Sequence, residues 1–174
     1  MAQFNLIEIV QPKMDILFVA LNPPVGSNHN GHYFSNNLSF WNLLYQSGLI
    51  TKRVKSKLTG DDEVFRSNSI NYKNAVYGII DLVHDVIETN SNKVKVDDQR
   101  ISRILEMLDK NEVGVMCLMH SKVAKAFQAA GIIVRSDKYG MVGKYKNTLI
   151  YEVPFHNASI GGKERYYELL KNTF

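Results

Sequence analysis

The chain has 174 residues, of which 45% are hydrophobic and 22% charged, the balance expected for a globular protein with one core. The sequence contains no apolar run near the roughly 20 residues of a membrane helix, and it begins without a signal-peptide pattern. Its single cysteine, Cys117, excludes an internal disulfide and a cluster held by several thiolates. We therefore expect an intracellular, cytoplasmic protein. The net charge of +4 suits a polyanionic partner, although many basic proteins bind no nucleic acid.

Apolar strands alternate with helices along the whole chain. Continuous apolar runs predict buried strands at 16–21, 75–80, 113–119 and 148–153. Helical spacing of apolar residues predicts helices over about 40–48, 96–110, 121–130 and 164–172. Minor strands are predicted at 6–10 and 132–134, and a polar, partly irregular segment at 54–74. The order predicts an α/β fold: a three-layer αβα sandwich with a central, mostly parallel four-stranded sheet, in one domain over residues 1–174.

The first predicted strand stops abruptly at Asn22, because Pro23 and Pro24 cannot continue a strand ladder. This places one amide side chain at the carboxyl end of a strand, where open α/β sheets bind their ligands. Residues 22–37 are rich in Asn, Gly, Pro and Ser and predict a long loop, a type that is often functional. Asn-Pro is also a common turn, so a purely structural role for Asn22 stays open.

Aromatic residues cluster just after this amide. Phe40 and Trp41 lie at the start of an amphipathic helix, which favours burial in the core. Tyr33 and Phe34 lie in the polar loop, where rings have less reason to be buried. One of them could stack on a planar ligand such as a nucleobase, an interaction worth roughly 1–3 kcal/mol per base.

A second polar loop follows the last predicted strand and contains His156 and Asn157. Loops that follow two strands of a doubly wound sheet can meet at one crevice, so both residues are site candidates. Ser121 is better explained as a helix N-cap. The chain has no Gly-x-Ser-x-Gly elbow, no phosphate-binding glycine loop and no zinc or calcium spacing, so we expect no metal and no cofactor.

Several segments together resemble known motifs in order and spacing. They are Ala20-Leu-Asn-Pro-Pro24, Gly31-His-Tyr-Phe34, Leu38-Ser-Phe-Trp41, Tyr45-Gln-Ser-Gly48, Gly78-Ile-Ile-Asp-Leu-Val83 and Pro154-Phe-His-Asn-Ala-Ser-Ile160. Because of these segments, the chain resembles the uracil-DNA glycosylase superfamily, and within it the mismatch-specific uracil/thymine branch.

The resemblance implies a DNA repair enzyme that hydrolyses the N-glycosidic bond of uracil or a related deaminated base flipped out of DNA. It implies that Asn22 positions the attacking water and that His156, or else Asn157, donates a hydrogen bond to the departing base. The remaining implied contacts fall into a base-binding and a DNA-binding group. The base-binding residues are Leu21, Tyr33 and Phe34. The DNA-binding residues are Ser159, Ile160 (as a wedge), Gly161, Lys163 and Arg165.

The chain departs from the family pattern at several positions. Ala20 and Pro24 stand where the family has glycines, Leu38-Ser39 replaces Asn-Arg, and the final loop lacks the Pro-Ser core. Two alternatives therefore remain. The first is a superfamily member that binds nucleic acid or a free base with little or no hydrolysis. The second is a small-molecule enzyme that shares only the fold. For the glycosylase we expect DNA with a deaminated or mismatched base as partner, and a monomer.

Overall fold

The computed structural model describes residues 3–135 and 139–174, so Met1 and Ala2 lie outside the described residues. Its centre is a five-stranded sheet of order β2-β1-β3-β5-β4. The strands are β1 Lys13–Ala20, β2 Tyr77–Asp81, β3 Glu112–Leu118, β4 Gly140–Tyr145 and β5 Thr148–Glu152. All neighbouring pairs are parallel except β4, which runs antiparallel to β5. The predicted α/β fold is confirmed, but the predicted number of four strands is wrong.

The additional strand is β4, at the edge of the sheet. It contains two glycines and a lysine and has no continuous apolar run, so its sequence carried no strand signal. It pairs with β5 through a register irregularity between Met141 and Gly143. The minor strands predicted at 6–10 and 132–134 each form only a single bridge, Ile9 to Ile79 and Ile133 to Gly143.

The helices surround this sheet. They are α1 Val25–Asn30, α2 Ser39–Gln46, α3 Gly60–Val64, α4 Asp98–Lys110, α5 Ser121–Ala129 and α6 Lys163–Glu168, and α6 continues as a 3-10 turn over Leu169–Thr173. The four predicted helices are confirmed with small changes at their ends. The prediction of an unbroken loop over 22–37 is wrong, because α1 forms directly after Pro24 and ends at Gly31, whose φ is 71°. Proline is favoured at a helix start, and glycine at this left-handed position.

Two hydrophobic cores cover the two faces of the sheet, because successive side chains of a strand point to opposite faces. Phe18 of β1 packs on one side with Phe40 and Trp41, which are both fully buried as predicted. Val19 packs on the other side with Phe127 of α5. This arrangement is the expected three-layer sandwich. No helix within the described residues is long and apolar enough to cross a bilayer.

The strand order determines where a ligand can bind. From the central β1, the sheet extends to β2 on one side and to β3 on the other. Such a reversal opens a crevice at the carboxyl ends of the strands. The four parallel strands end at that edge, β1 at Ala20, β2 at Asp81, β3 at Leu118 and β5 at Glu152.

Candidate functional site

A cavity of about 340 Å3 lies at this edge of the sheet. Two parts of its lining are supported in different ways. One part, here called the strand-end wall, consists of Leu21, Asn22, Asp81 and His120, which end or directly follow β1, β2 and β3. The other part, the loop wall, consists of Phe155, His156 and Asn157 from the loop after β5. Tyr33 and Phe34 also line the cavity, so the predicted catalytic and base-binding residues come together in one place.

The amide of Asn22 is held in one orientation. Its Nδ2 group donates hydrogen bonds to the backbone carbonyls of Glu88 at 2.8 Å, Val86 at 3.0 Å and Pro23 at 3.2 Å. Carbonyl oxygens can only accept, so the NH2 group must face them. No described residue donates to Oδ1, which stays available to a ligand or a water molecule. Asn22 therefore ties the loop after β2 to β1 and also presents one acceptor at the cavity.

Part of the backbone beside Asn22 is already hydrogen-bonded or lacks an N–H group. The carbonyl of buried Leu21 accepts the N–H of Val83 at 2.8 Å. Pro24 has no N–H, and the N–H of Val25 donates to Oγ1 of Thr89 at 3.2 Å. Pro23, Pro24 and Val25 therefore offer no free backbone N–H group to a ligand.

Phe34 is one of the aromatic residues that line the cavity and could contact a flat ligand. It is half-buried, and one of its faces stacks on Phe40 with ring centroids 3.9 Å apart. Its backbone has a φ of 52°, which is unfavourable for a residue with a side chain. The indole N–H of Trp41 donates to the Phe34 carbonyl at 3.1 Å and helps to hold this conformation. Held strain of this kind is typical of binding sites.

Tyr33 differs from its prediction. It is only 3% exposed, so the expectation that its ring would avoid burial is wrong. Its hydroxyl donates to Oδ2 of Asp81 at 2.9 Å, and its backbone N–H donates to Oδ2 of Asp61 at 2.9 Å. Burial raises the pKa of Tyr33 well above its usual range, so the phenol stays protonated. Tyr33 acts in this structure as a hydrogen-bond partner of Asp81.

Asp81 is a site residue that sequence reasoning missed. Only 2% of its surface is exposed, yet it lines the cavity at the end of β2. Burial raises the pKa of its carboxyl group to about 7, and the charge of Glu8 adds to this effect. The hydrogen bond from Tyr33 and the charge of Arg103 act in the opposite direction. A strand ending Tyr-Gly-Ile-Ile-Asp contains one polar side chain after an apolar run, the same signal that identified Asn22.

His156 lies in a chain of side-chain hydrogen bonds. Its Nδ1 is 2.7 Å from Oγ of Ser39, and the Ser39 hydroxyl donates to Oδ1 of Asn157 at 2.8 Å. A hydroxyl has one proton, so Ser39 must accept from the N–H at Nδ1, and Nε2 of a neutral His156 is then an acceptor. Reversing the Asn157 amide reverses the whole chain and makes Nε2 a donor. Burial, followed by the charge of Lys163, lowers the pKa of His156 to about 4, so the ring is neutral near pH 7.

His120 is a second histidine at the cavity, and it was not identified from the sequence. Its Nδ1 caps α5 by accepting the backbone N–H of Lys122 at 3.1 Å. The proton of the neutral ring therefore resides on Nε2, which is a donor. Burial lowers the pKa of His120, and the charges of Lys122 and Lys125 lower it further. The site thus contains one histidine whose tautomer is determined by the backbone and one whose tautomer is set by two side chains.

The predicted DNA-contact residues do not line the cavity. Ser159, Gly161 and Arg165 are exposed and Ile160 is half-buried, all in or just after the loop that forms the loop wall. Lys163 has a contact that its sequence did not predict, because its Nζ donates to the carbonyls of His156 at 2.7 Å and Ala158 at 3.2 Å. Its ammonium group therefore stabilises the loop that forms the loop wall.

One group of potential metal ligands occurs among the described residues, formed by His32, Asp61 and Asp62. Both carboxylate oxygens of Asp61 already have partners. Oδ1 contacts Nδ1 of His32 at 3.0 Å and the backbone N–H of Asp62 at 2.9 Å, while Oδ2 accepts from Tyr33. The group is explained by these internal hydrogen bonds.

Comparison with known proteins gives no assignment: no protein-family profile matches the chain, and no curated protein matches it either. The interpretation of the site therefore depends on its own residues and geometry.

Proposed function

We propose that this chain is a DNA glycosylase that hydrolyses the N-glycosidic bond of uracil or a related deaminated base after the nucleotide has been flipped out of DNA. The observation that carries the proposal is Asn22: an amide held by three backbone carbonyls beside a cavity, with Oδ1 left available. The motifs that resemble the uracil-DNA glycosylase superfamily support the same conclusion. The proposed partner is DNA that contains uracil or a deaminated or mismatched base, and the proposed location of the protein is the cytoplasm.

The role of Asn22 follows from the chemistry of an amide. Its oxygen is too weakly basic to remove a proton, but it can accept a hydrogen bond from water and so hold the water in one place. The water oxygen forms the new bond to the anomeric carbon of the sugar. The carbon–nitrogen bond breaks, its electron pair leaves with the base, and the proton lost by water passes to solvent or to the base.

The departing base carries negative charge on its carbonyl oxygens, so donors fixed near those oxygens lower the barrier. His120 presents an N–H at Nε2, because its Nδ1 is used by the backbone. His156 presents one when the Asn157 amide is reversed. Because both rings remain neutral near pH 7, His120, and His156 in that reversed arrangement, would donate a hydrogen bond without transferring a proton.

The cavity suits a base in size and in shape. Its volume of about 340 Å3 is at the small end of ligand sites, which span roughly 300–1,000 Å3. Phe34 supplies an aromatic surface inside it. Residues 158–161, of which Ser159 and Gly161 are exposed, follow His156 and Asn157 in the same loop, where they could enter the space left by a flipped nucleotide.

The direct test is a base-release assay on matched oligonucleotides. Single-stranded and double-stranded DNA carrying uracil, hypoxanthine, xanthine or a mismatched thymine is incubated with the protein, and alkali cleavage reveals abasic sites. We expect release of at least one of these bases and none from the undamaged control strand.

The same assay separates the alternatives. DNA binding that weakens with salt but yields no abasic site with any substrate would contradict the hydrolase and identify a binding protein. Absence of DNA binding at low salt would overturn both and leave a small-molecule enzyme with this fold.

A further inference from the structure

Residues 52–57, here called the basic segment, form a charged surface that the proposed reaction does not use. The segment contains four exposed cations, Lys52, Arg53, Lys55 and Lys57. Its middle is anchored by Val54, whose side chain packs in the core and is only 3% exposed. The sequence from 16 to 60 contains neither Asp nor Glu. Four cations are therefore concentrated in a part of the chain that supplies no acid to balance them.

The cations of the basic segment have no acidic partner among the described residues. The ion pairs of the structure use other basic side chains, namely those of Lys13, His32, Arg66, Arg100, Arg103, Arg135 and Lys146. The acids that follow on α3 are already engaged. Asp61 is buried, and Asp62 pairs with Arg66 at 3.0 Å. Glu63 accepts the hydroxyl of Thr59 at 3.1 Å. The basic segment therefore produces a positive potential that attracts anions.

The basic segment runs beside α2 and ends at the rim of the cavity. Near its start, the guanidinium group of Arg53 lies over the ring of Tyr45, 4.4 Å from the centroid, and Nη1 is 3.5 Å from Oδ1 of Asn42. At its end, Nζ of Lys57 donates to the backbone carbonyl of Asn36 at 3.3 Å, and Asn36 lines the cavity. The four steps from Arg53 to Lys57 span at most about 14 Å. The cations thus form a row that leads from the cavity rim along α2.

We propose that the basic segment binds the phosphates of the DNA strand that flanks the flipped nucleotide. This inference rests on the proposed function, and it adds a second phosphate-binding surface to the one expected at Arg165. A row of cations that begins at a cavity for a base is complementary to a linear polyanion that continues from that base. This placement favours DNA over an acidic protein or an anionic membrane.

Arg53 and the two lysines have different tasks in this arrangement. Stacking on Tyr45 uses the face of the Arg53 guanidinium group and leaves N–H groups at its edge for a phosphate, which planar guanidinium groups can bind through two hydrogen bonds. Lys55 and Lys57 act as point charges, so each contact with a phosphate should release about one counterion. Removing the lysines should therefore change the salt dependence of binding more directly than any other property.

The test compares two double variants that each remove two positive charges. Lys55→Gln/Lys57→Gln neutralises half of the basic segment. The control, Lys13→Gln/Lys110→Gln, removes exposed lysines at the opposite edge of the sheet, where β1 begins and where α4 ends shortly before β3. All four side chains are exposed, so both variants should unfold at the same urea concentration as the wild type. Fluorescence anisotropy with labelled single-stranded and duplex oligonucleotides gives the affinity between about 50 and 200 mM salt.

We expect the slope of log affinity against log salt to change only in Lys55→Gln/Lys57→Gln. Two lost phosphate contacts should reduce its magnitude by roughly 1.8 on duplex DNA and 1.4 on a single strand. The control should keep the wild-type slope. Equal slopes in the two double variants would overturn the inference, because they would show that only the net charge matters.

A second series determines where the strand runs. DNA with one uracil is lengthened on one side of the uracil at a time, by up to about four nucleotides, which at roughly 3.4 Å per nucleotide matches the reach of the basic segment. Lengthening one side should strengthen binding by the wild type and the control more than binding by Lys55→Gln/Lys57→Gln. Lengthening the other side should affect all three proteins equally. Equal gains in all three proteins on both sides would overturn the assignment of a flanking strand to this segment.

Failure of this inference can be distinguished from failure of the proposed function. If a base is released but Lys55→Gln/Lys57→Gln retains the wild-type salt slope, the inference is wrong and the glycosylase stands. If no base is released but this variant alone loses salt dependence, the basic segment binds DNA and the hydrolase is wrong. Absence of DNA binding at low salt overturns both. Binding to vesicles of phosphatidylserine and phosphatidylcholine, lost in this variant while its DNA binding is unchanged, would identify a membrane surface instead.

Discussion

The two walls of the cavity are supported in different ways. The strand-end wall is fixed largely by the backbone: the N–H groups of Leu82 and Val83 donate to the carbonyls of Ala20 and Leu21, and Asn22 is bonded to three carbonyls. The loop wall is held by side chains, namely Ser39, Lys163 and the hydroxyl of Tyr167, which donates to the Pro154 carbonyl at 2.8 Å.

This difference in support predicts that the two walls have different roles in the proposed reaction. Groups fixed by a parallel sheet cannot move without disturbing its hydrogen bonds, so the strand-end wall suits reactions that need exact placement. The loop wall can change through single rotations, such as reversal of the Asn157 amide. Substitutions in the strand-end wall should therefore lower base release more than substitutions in the loop wall.

The largest expected effect is that of Asn22→Ala. Loss of Oδ1 should remove the placement of water and lower base release by about 100-fold or more, while salt-dependent DNA binding persists. The matched control is Asn28→Ala. Asn28 is buried, whereas Asn22 is half-buried, but its amide is likewise bonded to backbone groups, those of Gln3, Asn5 and Leu6, and it does not line the cavity. Equal activity losses in the two variants, measured at equal folded fraction, would reduce Asn22 to a structural residue.

The second expected effect concerns the free energy of unfolding and tests how burial in the strand-end wall changes the ionisation of Asp81. Because the folded-state pKa of Asp81 is raised to about 7, the folded protein binds more protons than the unfolded chain between about pH 4 and 7. Its free energy of unfolding should therefore fall as the pH rises through this window, by up to about 1.4 kcal/mol per pH unit from this group. Asp81→Asn should remove that part of the slope in urea titrations at several pH values. An unchanged slope would mean that Asp81 ionises freely in the folded protein.

The third effect belongs to the loop wall. Ser39→Ala and Asn157→Ala should each lower base release by about tenfold, the contribution of about one hydrogen bond. The double variant should be little worse than either, because both act through His156. Ser39→Thr retains a hydroxyl and should recover most of the activity. The control is Ser47→Ala, because Ser47 follows the opposite end of α2, its hydroxyl donates to the Leu44 carbonyl at 3.0 Å, and it does not line the cavity. Fully additive losses would show that His156 is not oriented by this chain.

The smallest expected effect distinguishes the roles of Arg165 and Lys163, the two cations that follow the loop wall in sequence. Arg165 is exposed and has no ion pair among the described residues, so Arg165→Ala should reduce the slope of log affinity for DNA against log salt by about one. Lys163→Ala should alter base release more than the salt slope, since its ammonium group is bonded to the His156 and Ala158 carbonyls. The reverse pattern would place Lys163 on a phosphate and leave the loop wall without its main support.

The local sequence pattern was sufficient to predict a feature wherever a single segment of the chain determines that feature. The apolar run stopped by two prolines placed Asn22 at a strand end, and helical spacing placed Phe40 and Trp41 in the core. The alternation of strands and helices determined the α/β fold. The edge strand β4 was missed because an edge strand buries little and needs no apolar run.

Tertiary structure alone decided what the side chains of the site can do. Asp81 meets the Tyr33 hydroxyl across 48 residues of sequence, and His156 meets Ser39 across 117. The protonation of Asp81 and the tautomer of His156 depend on burial and on these distant partners, and no local pattern records either. The sequence by itself thus determined the fold and the position of Asn22. Only the packing of the sheet, the N-terminal segment and the final loop raised the pKa of Asp81 and made Ser39 the partner of His156.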